Sequence, residues 1–153
     1  MTILLTGASG FLGRPISDYL KQQQFDVISV GRSKDNRIIC DLGQAVPVLE
    51  QPIDVLVHVA GKAHVIPKTD EEAQSFFDVN VTGTENLLKS LTGRLPQAIV
   101  FISSVAVYGL ETGENIQEFY PLLGTTPYAK SKIESENTIL CFGKEHGIPV
   151  VIL

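Results

Sequence analysis

Three polar side chains in the second half of the chain, Ser104, Tyr128 and Lys132, could move a proton together. Tyr128 and Lys132 are four residues apart, so a helix predicted from about 125 to 145 places them on one face. A tyrosine hydroxyl has a pKa of ~10 in water, and an ammonium one helical turn away favours its phenolate form. The pair suits proton transfer to or from a substrate hydroxyl, and Ser104 can hydrogen-bond the same oxygen. Taken alone, this spacing is also typical of a solvated helix face.

A glycine-rich turn at the start of the chain predicts the binding of a dinucleotide. An apolar run at residues 3–5 predicts a buried strand, and Gly7, Gly10 and Gly13 follow it directly before a helical pattern. The free N–H groups at such a helix start attract anions, and the glycines allow a sharp turn, a close diphosphate and a close helix. The absence of Lys-Ser/Thr after Gly13 excludes a triphosphate P-loop, while purely structural glycines remain the alternative.

Four motifs, in order, give the chain a resemblance to the extended, sugar-nucleotide-modifying branch of the short-chain dehydrogenase/reductase superfamily. They are Thr6-Gly-Ala-Ser-Gly-Phe-Leu-Gly13, Asn80-Val-Thr-Gly-Thr84, Ser103-Ser-Val-Ala-Val-Tyr-Gly109 and Tyr128-x-x-x-Lys132. The resemblance covers essentially the whole chain. It implies an NAD(P)-dependent epimerase or 4-ketoreductase that acts on a nucleotide sugar, with Ser104, Tyr128 and Lys132 as the catalytic group.

The resemblance also implies where the cofactor binds. Asp41-Leu42 would contact the adenine, the segment after strand four would carry the adenosine and diphosphate half, and Asn80 would hold that segment in place. Asp41 could equally be an ordinary turn acid or helix cap. The predicted cofactor-binding residues are Gly7, Gly10, Phe11, Leu12, Gly13, Arg32, Asp41, Leu42, Val59, Ala60, Gly61, Asn80, Tyr128 and Lys132.

The junction after the second strand bears on the choice between NAD and NADP. An acid usually stands there when the adenosine ribose belongs to NAD, but this chain has Gly31 followed by Arg32. A guanidinium can pair with the 2′-phosphate of NADP, so the sequence leans towards NADP. A solvated surface arginine is the alternative.

Two departures from the family pattern limit what the resemblance implies. Dehydratases of the family have Asp-Glu directly after the catalytic Thr/Ser, whereas Val105-Ala106 stands here and disfavours dehydration. The chain also ends inside a sixth strand. We therefore expect residues 1–153 to form one NAD(P)-binding domain that is truncated before the substrate-binding lobe.

The predicted fold is a doubly wound parallel α/β sheet (Rossmann) with strand order 3-2-1-4-5-6. Six short apolar segments predict its strands: residues 3–5, 25–30, 37–40, 54–60, 97–104 and from 150 onwards. Long helices are predicted at 71–91 and 125–145, with Gly147 as the C-cap of the second.

Composition narrows the classes of partner and of location. The chain is 44% hydrophobic with a net charge of −5, which argues against a nucleic-acid surface. No run is long enough to span a membrane, no metal-ligand spacing stands out, and Cys40 and Cys141 are expected to be reduced packing residues. We therefore expect a cytoplasmic protein without a metal. His58 is expected to pack in the core, and the role of His64 is open.

The two long helices carry more apolar residues than contact with one sheet requires, which predicts a homodimer through 71–91 and 125–145. The excess comprises Phe76, Phe77, Leu87, Leu88, Ile139, Leu140 and Phe142. Two alternatives to an enzyme are a regulatory protein that senses NAD(P) without catalysis and a structural scaffold that binds no dinucleotide. Ser104, Tyr128 and Lys132 together disfavour the regulatory protein, whereas the scaffold predicts that no dinucleotide binds at all.

Overall fold

A computed structural model describes residues 1–63 and 65–153 of the chain, so His64 lies outside the described residues. Within them, six parallel strands form a single sheet in the order β3-β2-β1-β4-β5-β6, which confirms the predicted topology. The strands are β1 Thr2–Thr6, β2 Asp26–Gly31, β3 Ile38–Ile39, β4 Val55–His58, β5 Ala98–Phe101 and β6 Val150–Ile152.

The helices pack against this sheet around a core from β1, β2, β4 and β5. The α-helices are α1 Gly13–Gln22, α2 Asp70–Phe77, α3 Gly83–Ser90 and α4 Pro127–His146. A π-helical segment, Asp78–Thr82, joins α2 to α3, and a 3₁₀ turn, Val105–Tyr108, follows β5. No helix in the described residues is long and apolar enough to cross a membrane.

The ends of α4 follow from local residue chemistry. The Thr126 hydroxyl accepts a hydrogen bond from Ala129 N (3.1 Å) at the N-terminus, and Pro127 occupies the first turn, where its missing N–H is not needed. Gly147 has φ +68° and is the C-cap, as predicted. At the end of α1, where a glycine would be expected, Gln24 adopts φ +62°.

The prediction of one uninterrupted helix over 71–91 is wrong, because residues 78–82 form the π-helical segment between α2 and α3. The helical pattern is otherwise continuous. The interruption coincides with Asn80, whose side chain bonds to two distant parts of the chain. Such local π turns are frequent at functional sites.

Most of the expected apolar excess on the helices is part of the core. Four of the seven named residues are at most 4% exposed: Phe76, Leu87, Leu88 and Ile139. Leu140 remains 45% exposed, whereas Phe77 and Phe142 are half-buried. Cys141 is exposed rather than packed, while Cys40 contacts the core, and both thiols are free.

Candidate functional site

A cleft of about 610 Å³ opens at the carboxyl ends of the central strands. In doubly wound sheets this edge is where ligands bind. The cleft brings together nearly all the predicted site residues, and only Ser104 and Asn80 are not on its wall. The predicted residues that line it are Gly7, Gly10, Phe11, Leu12, Gly13, Arg32, Asp41, Leu42, Val59, Ala60, Gly61, Tyr128 and Lys132.

One wall is the glycine turn between β1 and α1, which has no room for side chains at two of its glycines. Gly7 has φ +70°, and a Cβ there would lie 2.8 Å from Ala60 N. A Cβ at Gly13 would lie 1.9 Å from the Gly7 carbonyl oxygen, so only glycine lets α1 approach the turn this closely. At Gly10 the nearest atom would be the same oxygen at 3.2 Å, which is tight but much less severe.

The start of α1 has the properties of an anion site. No side chain caps it, and its first turn holds no acidic residue. In the part of the chain described, neither the Phe11 nor the Leu12 backbone N–H donates a hydrogen bond to another protein group. Both residues are open to solvent, Phe11 at 94% exposure and Leu12 at 48%. These N–H groups, together with the helix dipole, suit a phosphate group.

The floor of the cleft is the segment after β4, held by a threonine of β1. The Thr6 hydroxyl oxygen accepts hydrogen bonds from Val59 N (3.1 Å) and Ala60 N (3.0 Å). Thr6 is fully buried, so these bonds satisfy N–H groups just after β4 has ended. The hydroxyl also lies 2.7 Å from His58 Nδ1.

Below this floor, His58 continues a hydrogen-bond chain that runs in one direction. The Thr6 oxygen already accepts two bonds, so its proton is donated to His58 Nδ1 and the His58 proton lies on Nε2. Nε2–H donates to the Thr84 hydroxyl at 2.9 Å, which donates in turn to the Asn80 carbonyl at 2.5 Å. Burial, and secondly the Lys132 charge, lower the pKa of His58 to about 3. His58 is 2% exposed, so the prediction of a packed core histidine is confirmed.

Asn80 connects the floor to the helix that carries Tyr128 and Lys132. Its Oδ1 accepts from Lys62 N (2.7 Å), and its Nδ2 donates to Lys62 O (3.1 Å) and to Ser131 Oγ (2.8 Å). Ser131 Oγ donates to Tyr128 O at 2.8 Å. The buried asparagine therefore holds the backbone just beyond Gly61, as expected, and in addition links it to α4.

Lys132 and Tyr128 form the opposite wall. Lys132 is 4% exposed; its Nζ donates to Ile102 O at 2.6 Å and lies 4.0 Å from the centre of the Phe101 ring. Burial lowers the pKa of Lys132 to about 8, and the charge of Glu136 opposes this shift. Tyr128 is half-buried beside it, with its ring centre 6.1 Å from that of Phe76.

Ser104 and its neighbour Ser103 occupy different positions. Ser104 Oγ accepts from Ala106 N at 3.2 Å and thereby caps the 3₁₀ turn, whereas Ser103 lines the cleft and donates to the Glu136 carboxylate. Sequence reasoning included Ser104 but missed Ser103, Glu136 and the cleft residue Lys62. The Ser-Ser pair was the available signal for Ser103, while nothing local indicates Glu136.

The remaining predicted residues lie at the outer end of the cleft. Asp41 Oδ1 accepts from Gly43 N at 3.1 Å, so this side chain stabilises the turn after β3, and Leu42 is buried in the core. The exposed Arg32 guanidinium makes no hydrogen bond or ion pair with the residues described. In residues 1–63 and 65–153 no cluster of three or more potential ligands could hold a metal.

The cleft fits a dinucleotide cofactor on structural grounds. Its volume is within the range of small-molecule sites, and the helix start beside it offers free N–H donors. The overlaps that a Cβ would make at Gly7 and Gly13 show that the turn and α1 are as close as glycine permits.

Comparison with known proteins identifies relatives along the whole chain. It is 30% identical to a putative UDP-glucose 4-epimerase of Methanocaldococcus jannaschii, in an alignment of 165 positions that covers 99% of this chain and 54% of that protein. It is 29% identical to the UDP-glucose 4-epimerase of Vibrio cholerae, with 99% and 50% covered. The chain thus spans about half the length of the curated relatives it matches.

Solved structures show the same fold. The UDP-glucose 4-epimerase of Thermus thermophilus in complex with NAD superposes with a TM-score of 0.81 at 24% identity, covering 99% of this chain and 54% of that one. At this identity the likeness shows the fold alone. Residues 3–153 match the model of one family, and the chain belongs to it: the NAD dependent epimerase/dehydratase family.

Proposed function

We propose that the chain binds a nicotinamide dinucleotide, NAD or NADP, in the cleft and forms the cofactor half of an epimerase or 4-ketoreductase that acts on a nucleotide sugar. One observation carries the proposal: a single cleft joins the glycine turn to Tyr128 and Lys132. Epimerisation is favoured over reduction because the two relatives above are named UDP-glucose 4-epimerases. Val105 and Ala106 offer no acid or base after Ser104, which disfavours dehydration.

Each wall has its own task in this proposal. The N–H groups at the start of α1 hold the diphosphate, Asp41 and Leu42 border the adenine, and Lys132 donates to the nearby ribose. When bound, NAD supplies a hydride acceptor for a sugar carbon. Tyr128 takes the proton from the sugar hydroxyl, and Ser104 orients that hydroxyl by a hydrogen bond.

We further propose that residues outside this chain supply the pocket for the sugar nucleotide. The chain spans about half of its curated relatives, and apolar side chains after the 3₁₀ turn are exposed, among them Phe119 at 83% and Leu123 at 61%. The chain alone should then bind NAD but turn over nucleotide sugars negligibly. Measurable epimerase turnover by these 153 residues alone would contradict this.

Arg32 supports a preference for NADP as a finer proposal. It lines the outer end of the cleft beside the end of β2 and is exposed. A guanidinium there can pair with a 2′-phosphate. The family is NAD-dependent by its description. A titration in which NAD and NADP compete for the cleft therefore tests whether this chain prefers NADP.

A homodimer through α2, α3 and α4 also remains a proposal. An open groove of about 500 Å³ runs between α3 and α4, and the half-buried Phe142 lines it. Leu140 adds exposed apolar surface on the same helix. Light scattering of the chain at high concentration tests this proposal, and a monomer there would count against it.

Gly10→Val tests the cofactor site itself. A branched side chain at this open position of the turn occupies the space proposed for the diphosphate, whereas its Cβ approaches only one protein atom, at 3.2 Å. NAD binding measured by calorimetry should be lost while the circular dichroism spectrum is retained. Thr92→Val, which introduces valine at an exposed site after α3, is the control for the valine side chain itself and should bind like the parent. Equal affinities of Gly10→Val and the parent would place the site elsewhere.

Tyr128→Phe tests the chemistry. In a protein that includes the substrate-binding half, the variant should lose about 10²–10⁴-fold in kcat, because the group that transfers the proton is gone. Its NAD affinity should match the parent's. Undiminished turnover of the sugar nucleotide by Tyr128→Phe would remove Tyr128 from the mechanism.

A further inference from the structure

Glu136 is a buried acid that the sequence reasoning did not single out. It lies on α4 one helical turn after Lys132 and is only 6% exposed. Buried carboxylates are rare unless a specific partner stabilises them. Its partner is the hydroxyl of Ser103, which donates to Glu136 Oε1. Because Glu136 is buried one helical turn from Lys132, its carboxylate can act on Lys132 and on the segment that Ser103 belongs to.

The first part of that role is geometric, and it concerns the two residues that follow β5. Ile102 N donates to His58 O of β4 (3.0 Å), and Ser103 N donates to Leu153 O beside β6 (2.6 Å). These two bonds fix the segment within the plane of the sheet.

Two further bonds fix the same segment to α4. Lys132 Nζ donates to Ile102 O at 2.6 Å, and Glu136 accepts from Ser103 Oγ. Ser104 is the next residue along the chain, and Tyr128 lies one turn before Lys132 on the same helix. The spacing between Ser104 and Tyr128 therefore depends on contacts made by two side chains one helical turn apart.

The second part of the role is electrostatic. A buried ammonium is costly unless charges or dipoles compensate it, and Lys132 has the Ile102 carbonyl and the face of the Phe101 ring. The titratable groups facing it are the neutral His58 from β4, and Tyr128 and Glu136 from its own helix. Among these described groups only Glu136 brings a negative charge, and it raises the pKa of Lys132 against the larger effect of burial.

We propose that Glu136 is a positioning residue: through Ser103 it locks the carboxyl end of β5 to α4, and its charge keeps the buried Lys132 ammonium protonated. This inference rests on the proposed function in one respect: a protonated Lys132 serves the cofactor ribose and Tyr128 if the chain has that function. The contacts themselves belong to the chain alone.

The charge is tested by following Lys132 directly. In the chain labelled with ¹³C at lysine Cε, NMR gives the titration midpoint of each lysine, and loss of a signal in Lys132→Met identifies Lys132. Glu136→Gln keeps the shape and an acceptor for Ser103 but removes the charge. Its Lys132 midpoint should therefore lie below that of the parent, because the charge that raises the pKa of Lys132 is gone. Glu134→Gln, the same change at an exposed site of α4, is the matched control and should leave the midpoint in place. An unchanged midpoint in Glu136→Gln would overturn the proposal.

Ser103→Ala provides the complementary variant if Glu136→Gln does not fold. It removes the hydrogen bond but retains the carboxylate, so the Lys132 midpoint should stay at the parent's value. A midpoint that falls in Ser103→Ala would assign the effect to the hydroxyl and overturn the role of the Glu136 charge. NAD titration of the parent sample tests the proposed function separately: no binding would refute that function, while the lysine midpoints would still decide the role of Glu136.

Discussion

The glycine turn and the polar layer beneath the cleft are built by opposite means. The polar layer is the hydrogen-bonded chain of Thr6, His58, Thr84 and Asn80. The turn depends on missing side chains, because a Cβ at Gly13 would lie 1.9 Å from a backbone oxygen. The polar layer depends on side chains that bond across β1, β4 and α3, as in the chain from Thr6 through His58 to Thr84. The turn is therefore sensitive to volume, whereas the polar layer is sensitive to protonation and to loss of single hydrogen-bonding groups.

The largest effect expected is that of volume in the turn. Gly13→Ala places a methyl group where the Gly7 carbonyl oxygen stands, so α1 has to move away from β1. We expect a loss of about 4 kcal/mol or more in the free energy of unfolding, above the usual ~1–3 kcal/mol of overpacking because the clash is with backbone atoms. Urea unfolding measures it.

Gly10→Ala is the control within the same turn. Its Cβ would meet only one atom, at 3.2 Å, so we expect a loss of about 1 kcal/mol or less. Similar losses at both glycines would mean that the turn is not limited by volume at Gly13.

The polar layer should instead show its largest effect on acidification. The pKa of His58 is about 3 in the folded chain against an ordinary 6.5, so between these values the unfolded chain binds a proton that the folded chain does not. Stability contributed by neutral His58 is present above pH 6.5 and falls by about 4 kcal/mol as the pH drops to 3.

Comparison with His58→Gln isolates this contribution, because the carboxylates titrate in both proteins. The variant is less stable at neutral pH since it lacks the imidazole bonds, and the difference between parent and variant should shrink below pH 6.5. Chemical denaturation at a series of pH values measures that difference. A constant difference would show that His58 does not carry the pH dependence.

The smallest effect is expected for Arg32 at the outer end of the cleft, because this side chain is exposed and water weakens its contacts. Arg32→Ala should weaken NADP binding by about 1–3 kcal/mol more than NAD binding if the guanidinium pairs with the 2′-phosphate. Lys34→Ala removes a nearby exposed charge and is the control. Calorimetry with both cofactors measures the selectivity, and equal losses for NAD and NADP would remove Arg32 from cofactor choice.

The same contrast explains what the sequence could predict. The strands, the glycine turn and the helix with Tyr128 and Lys132 follow from local spacing. The order of the strands follows from the fold of the family that the motifs resemble, and the structure confirms that order. The contact of Ser103 with Glu136 joins residues 33 positions apart and leaves no periodic signal. The π-helical segment at Asp78–Thr82 likewise coincides with Asn80, whose side chain bonds to distant residues, whereas local propensity predicted an ordinary helix.

The apolar excess on the helices was misjudged for a related reason. Counting apolar residues on α2, α3 and α4 does not show how many of them the sheet and the other helices cover. Phe76 and Ile139 are fully buried within one copy of the chain, so they add nothing to a surface for a partner. Tertiary packing within one chain covers most of these residues. Of the seven, Leu140, Phe77 and Phe142 keep exposed surface that the proposed dimer could use.

The π-helical segment also accommodates one extra residue at this point of the chain. Each of its turns holds one residue more than an α-turn, so its five residues turn the backbone about as far as four α-helical residues would. Phe76 of α2 packs near Lys62 and Tyr128, and Leu87 of α3 faces the core. Deleting one residue from 78–82 should therefore convert the segment into ordinary α-helix with both of these faces retained. Deleting one residue from α2 or α3 would instead turn the residues on its two sides by about 100° relative to each other.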